Sequence, residues 1–429
     1  MERQHEHSLR RSLTWVQGTP MTIGAVLGSG ILVLPSLTAG ISGPAAIIAW
    51  LVMAFLSFPL ALTLGGLAAQ LPSAGGIAAY SRKAFGPRFG GMVGWLFLGT
   101  IPLGVPIVAL IGSNYMGIVL GLTPWQVTAL AAVLLAISVS LNIRGIELSG
   151  WVQVLIIALI AILLTLAIFA ALPHVHGSAF HPFAPKGWWT IGRSAEMIFW
   201  CFVGWEMIAH LAEEFTNPRR DVVLSLGLAA LAIALLYLGV TFVTIGTHAY
   251  GGQTGLAPLS TLVGIGIGRA AASLTAVLAL LISFATVHTN IAGFSRMVFA
   301  QAREGEFPGV FAKLHAKHQT PYAALLGMSL VFAFVLLANV AFHPNLGMII
   351  KWPSAIFVTL YIVATASGVR LFRRYSVWWW MSFVSLALSI GIYLFSGWAM
   401  LFPIILGSLG WGVARRRPRP SVNPLSKSV

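Results

Sequence analysis

A chain of 429 residues that is 58% hydrophobic and only 8% charged, with a mean hydropathy of +0.89, is excluded from the soluble class and reads as a polytopic membrane protein. Its formal net charge of +15 would suggest nucleic acid in a soluble protein, but here the placement of each charge decides, and placement favours membrane topology. The single cysteine, Cys201, excludes an internal disulfide and any cysteine-based metal cluster.

With roughly 20 apolar residues needed per span, the sequence predicts an all-α integral membrane protein with twelve transmembrane helices. They fall at 13–38, 44–70, 91–120, 124–142, 150–172, 191–212, 222–247, 259–294, 321–342, 347–369, 377–395 and 398–414. With the N-terminus inside, the cytoplasmic turns and tails hold Arg82, Lys83, Arg88, Arg144, Arg220, Arg296, Arg303, Lys313, Lys317, Arg370 and Arg415–Arg417, among others. The other side keeps Lys186, Arg193, Arg269 and Lys351. This bias places both termini in the cytoplasm of a cell whose cytoplasmic (inner) membrane holds the chain, and explains the basic residues without a nucleic-acid partner.

The first span carries Gly28-Ser29-Gly30 at mid-depth and closes with Leu34-Pro35. Glycine lets the backbone leave helical geometry and lets a ligand approach the main chain. Gly24 and Gly28, four apart, also fit a small-residue packing face. Pro102 and Pro106 predict a kinked third span, and the fourth and fifth are almost featureless. The loop 173–190 carries His174, His176 and His181 beside three prolines, which reads as solvated histidines with no metal site.

The sixth span echoes the first. Phe199-Trp200-Cys201-Phe202-Val203-Gly204-Trp205-Glu206 again sets glycine and polar residues near the middle. A helix that unwinds in hydrocarbon is tolerated only where its freed N–H and C=O groups meet protein, water or ligand. Glu206 lies deep in this span, where a carboxylate is a candidate for proton coupling, although the weightier reading is structural: an acceptor for the amides that the unwound segments release, or a cap on the second half-helix. Glu196 and His288 are weaker candidates for coupling. In the eighth span Ser283, Thr286, Thr289 and Asn290 are spaced to share one face, and His288 reads as a packing histidine. Trp378 to Trp380 fit an interfacial aromatic belt.

Spans one and six run in opposite directions, and both break near their centres. That predicts a 5+5 inverted repeat, with spans eleven and twelve appended. The corresponding divisions are a tail at 1–12, a first repeat at 13–172, an external loop at 173–190, a second repeat at 191–369, two added helices at 370–414 and a basic tail at 415–429. Half-helix N-termini favour a carboxylate, and freed carbonyls suit an ammonium group, so one site offering both fits an amino acid.

Gly28-Ser29-Gly30, Pro72-Ser73-Ala74-Gly75-Gly76, Phe202-Val203-Gly204-Trp205-Glu206, Asn217-Pro218-Arg219-Arg220 and Ala302-Arg303-Glu304-Gly305 together resemble, in order, the pattern of the amino acid-polyamine-organocation transporters. The resemblance spans all twelve helices and implies the LeuT-like arrangement with discontinuous helices one and six. Gly94-Trp95-Leu96-Phe97-Leu98 and Phe199-Trp200-Cys201 look most similar to bacterial exporters of methionine and branched-chain amino acids. It implies that Gly28, Ser29 and Gly30 hold the substrate carboxylate, and that carbonyls near Ile23, Ala25 and Cys201 receive the ammonium. Trp200 matches a gating aromatic; Phe202 and Gly204 belong to the same break; Trp95, Leu98 and Ile101 form the apolar side-chain pocket.

The expected activity is secondary active transport of methionine, leucine, isoleucine or valine, as proton-driven efflux by alternating access, with no cofactor and no enzyme chemistry. Its expected partners are the amino acid, the proton and the bilayer. The fifth span lacks the lysine that some proton-coupled relatives carry there, which leaves the coupling ion and the direction of transport open. An uptake permease or exchanger, and a transporter-fold sensor, are the alternatives. Neither the preferred amino acid nor the oligomeric state is written in the sequence.

Overall fold

The computed structural model describes residues 13–71, 76–145, 150–205, 215–252, 254–303, 307–342 and 345–415. Among these the fold is helical throughout, with one isolated β-type bridge between Leu13 and Phe215. Eight helical stretches are long and apolar enough to cross a membrane, running from Leu34–Gln70 to Leu346–Leu371. Shorter apolar helices at Pro258–Ile267, Val377–Tyr393 and Gly397–Val413 accompany them.

Helix α1, Trp15–Val26, starts from a capping box in which Thr14 and Gln17 satisfy one another's backbone amides. It stops at Leu27 and passes through extended backbone at Gly28. A 3₁₀ turn, Ser29–Leu32, leads into α2, Leu34–Ser42, with Pro35 in its first turn. The predicted break therefore exists, and it divides the first span into two helices joined by a tight turn.

Helix α3 is Ala46–Gln70 and α4 is Gly76–Phe85. Gly86, at φ +98°, turns the chain into α5, Pro87–Leu120. The 34 residues of α5 extend about 51 Å, so its two ends mark opposite faces of the molecule. It remains one helix through Pro102 and Pro106, because packing against helices on several sides holds the backbone where the prolines remove donors. Helix α6 is Pro124–Ile143 and α7 is Gly150–Ala171.

The sixth span is divided like the first. Helix α8, Thr190–Ile198, gives way to a 3₁₀ turn at Phe199–Phe202 and then to Gly204 at φ +122°. Helix α9, Pro218–Gly246, follows. The predicted segment 259–294 is two helices, α10 Pro258–Ile267 and α11 Arg269–Arg303, separated at Gly268 with φ +112°. The rest are α12 Tyr322–Phe342, α13 Leu346–Leu371, α14 Val377–Tyr393 and α15 Leu401–Arg415.

Helix α5 sits centrally against α4, α6, α11, α13 and α15. Close approaches use small residues: a Cβ at Gly24 would strike Ile157 of α7, and one at Gly112 would strike Ser283 of α11. The small-residue reading thus holds for Gly24. On the outer surface, exposed Phe169, Leu235, Phe334 and Leu337 suit a hydrocarbon solvent. Arg88 lies over Trp411 and Arg370 over Phe85 at the end where α5 begins. At the far end, Lys186 donates to the Gly40 carbonyl.

Candidate functional site at the two helix breaks

The two 3₁₀ turns meet at the centre of the bundle. A Cβ placed on Gly30 would lie 2.7 Å from Trp200 Cδ1 and 2.9 Å from Cys201 Sγ, so only glycine lets the turns approach this closely. Gly204 makes the reciprocal contact: a Cβ there would fall 2.3 Å from the Ala25 carbonyl oxygen. Each break thus carries a glycine against the other. Gly28 differs, since the nearest atom to a Cβ there is the Val26 oxygen at 3.9 Å. Extended backbone at Gly28 thus has open space beside it.

Three tyrosines fasten the breaks to the scaffold. Tyr237 of α9, fully buried, donates toward both Val26 O (3.3 Å) and Cys201 O (3.2 Å), tying one break to the other. Tyr361 of α13 accepts from the Gly204 amide at 3.2 Å. Tyr115 of α5 donates to Leu32 O and accepts from Leu259 N at 3.4 Å. An unwound segment in an apolar interior needs such partners for its backbone groups. None of the three tyrosines was singled out from the sequence. The available signal was a lone phenol in an apolar helix, since a buried hydroxyl requires a partner.

Trp200 lies across the site. Its five-membered ring faces Gly30, and its far edge is 3.1 Å from a Cβ position at Gly104. Phe357 of α13 meets it edge-on, with centroids 5.7 Å apart. Leu98 and Ile101 of α5 belong to a buried cluster, and Trp200 packs against that cluster. Trp95 is turned to Phe307, with ring centroids 5.1 Å apart and the rings tilted by 41°, and is pressed on Gly410 of α15. Phe202 joins Trp50 and Tyr237 in an aromatic group behind the turn.

Ser29 is buried with its hydroxyl unpartnered among the described residues. It stands beside α5 and α11, which carry Ser113 and Ser283, also buried and unpartnered. The main-chain acceptors are more committed than expected: Ile23 O takes the Leu27 amide at 2.7 Å, and Cys201 O takes Tyr237. Thr289 is exposed, which removes it from the inward face expected for Ser283. His288 is buried on a different part of α11, where its Nδ1 faces Asn142 at 3.1 Å and Ser138 at 3.3 Å of α6. Glu206 lies outside the described residues.

Beyond Trp200, at the end of α5 marked by Gly121, is a cavity of about 1230 Å³. Ser36, Asn114, Met197, Asn339, Asn345 and Lys351 contribute to its walls. At the opposite end α1 is packed: Leu13 O accepts from Thr216 N at 2.8 Å, and Gly18 fits against Phe215 and Ser225.

A family profile described as amino acid permease matches residues 13–414. The chain belongs to the amino acid permease family. The chain is 48% identical to YecA of Bacillus subtilis, an uncharacterised amino acid permease, over 94% of this chain and 95% of that protein. It is 31% identical to the L-methionine/branched-chain amino acid exporter YjeH of Escherichia coli, over 96% and 98%. The branched-chain amino acid permease BcaP of Bacillus subtilis is 26% identical over 74% and 73%. Membership identifies this permease as a membrane transport protein of amino acid type, and the site must supply the rest.

Proposed function

We propose that this permease is a secondary transporter of neutral, apolar L-amino acids, with methionine, leucine, isoleucine and valine as the substrate group. Efflux driven by the proton gradient is the preferred direction. The observation that carries the reading is the meeting of two helix breaks beside an apolar wall. The amides of Gly28, Ser29 and Gly30 and the Ser29 hydroxyl offer donors to a carboxylate. The Ala25 carbonyl region beside Gly204 is the place for the ammonium. Leu98, Ile101 and Trp200 supply the apolar surface that an aliphatic or thioether side chain requires.

Support for the substrate group comes from YjeH and BcaP, whose names specify branched-chain amino acids. YjeH supports export, whereas the name of BcaP suits a permease of either direction, so uptake or exchange is the second reading. The packed basic end and the wide opposite cavity fit one state of an alternating-access cycle in a twelve-helix, 5+5 arrangement. With the basic end cytoplasmic, this state faces outward and Trp200 covers the substrate place.

The test is efflux from proteoliposomes loaded with labelled methionine or leucine, with and without an imposed pH gradient, challenged by lysine and arginine. The proposal expects gradient-accelerated movement of both labelled amino acids and indifference to the cationic pair. Movement of lysine in preference to leucine would refute the apolar assignment.

A further inference from the structure

Three residues before the second break, on the outer half-helix α8, Glu196 is fully buried. Neither oxygen of its carboxyl group has a hydrogen-bond partner among the described residues. Its main chain is held, because Ser354 of α13 donates to the Glu196 carbonyl. The side chain alone is left unsatisfied.

The elements packed on α8 are α2, α3, α13, α14 and the Phe199–Phe202 turn. Helices α2 and α3 contain no ionisable side chain. The turn contributes the buried thiol of Cys201. Helix α14 brings Tyr393, whose hydroxyl donates to Met400 O. Helix α13 carries Tyr361, engaged with Gly204, and Arg370 in its last turn. It also carries Lys351, one turn before the Ser354 that holds the Glu196 main chain. Arg193 on α8 itself is exposed.

Lys351 is also a wall residue of the large cavity, as is Met197, the immediate neighbour of Glu196. An ionised carboxylate in such surroundings is costly without a cation, whereas the neutral acid needs only modest hydrogen bonding. A group of this kind binds a proton from the cavity side and can release it only when a counter-charge or water reaches it.

We infer that Glu196 is a proton-binding site of this transporter, loaded from the cavity past Met197, with Lys351 as the cation that stabilises its deprotonated form. This rests on the proposed transport function. The carboxylate takes a proton from cavity water, forming a neutral acid and discharging the half-helix. Movement of α8 relative to α13 changes its distance from Lys351, and the proton leaves when the pairing forms. Substrate is assigned to Gly28–Gly30 and Trp200, not to this carboxyl group.

The experiment uses the full chain in proteoliposomes, measuring both counterflow of labelled leucine and its acceleration by a pH gradient. Glu196→Gln, checked for monodisperse insertion, is expected to keep counterflow within about threefold of wild type and to lose the gradient response. Glu206→Gln, made in parallel, keeps that response. A Glu196→Gln protein that still answers the gradient overturns the inference, as does an inserted one that has lost counterflow. Loss of the response only in Glu206→Gln overturns it too.

Should Glu196→Gln fail to insert, Lys351→Met decides. Removal of the nearby cation is expected to move the midpoint of the pH dependence to higher pH, and an unmoved midpoint contradicts the assignment. Wild-type protein that moves no amino acid at all refutes the transport reading itself, a result distinct from any of these.

Discussion

Glycines at the two breaks do different work, although the sequence presents them alike. At Gly30 the neighbours Trp200 and Cys201 already occupy the place a side chain would take, while at Gly28 the same volume is open. Gly204 is constrained twice, by φ +122° and by the Ala25 carbonyl. Gly204→Ala is therefore expected to destabilise the fold by about 1–3 kcal/mol through backbone strain, with the contact adding to it. Thermal unfolding of the purified protein in detergent reads this, and an unchanged midpoint would show that the break relaxes freely. Ser29, buried with an unpartnered hydroxyl among the described residues, is the polar counterpart: a residue whose position makes sense once a polar ligand is present.

At the scale of elements, both breaks were legible because glycine and polar residues interrupt apolar runs at mid-depth. What holds them was not. Tyr237 bridges Val26 and Cys201 across 211 and 36 residues of sequence, and no local pattern announces a contact of that separation. The same limit applies to the proposed side-chain pocket: Leu98 and Ile101 lie in the buried cluster that Trp200 packs against, whereas Trp95, nearby in sequence on the same helix, turns to Phe307. The division at Gly268 was hidden because both flanking helices are apolar. Tyr237→Phe removes one hydroxyl from two carbonyls, and is expected to cost about 1–3 kcal/mol. It should also lower the rate of counterflow more than its extent, since the two breaks would no longer move as a unit. Equal rates in variant and wild type would reduce Tyr237 to packing.

For the whole molecule, composition established a membrane protein and charge proposed its orientation, while the cavity appeared only in three dimensions. It opens at the Lys351 end, and α1 is packed against Phe215 and Thr216 at the other. The orientation is testable because the lone native cysteine is buried and gives little background. An impermeant thiol reagent applied to intact cells is expected to label Lys186→Cys and to spare Lys317→Cys, and the opposite pattern would invert the topology. Either way the two breaks would remain the centre of the molecule, and their role in binding is the central claim. The measurement that tests it most directly is leucine counterflow by Gly30→Val beside Gly28→Ala and wild type, in protein shown to be inserted and monodisperse. A valine at position 30 is expected to abolish counterflow by forcing Trp200 and Cys201 away, while Gly28→Ala folds normally and shows weakened leucine affinity. Wild-type counterflow in both variants would contradict the placement of substrate between the breaks.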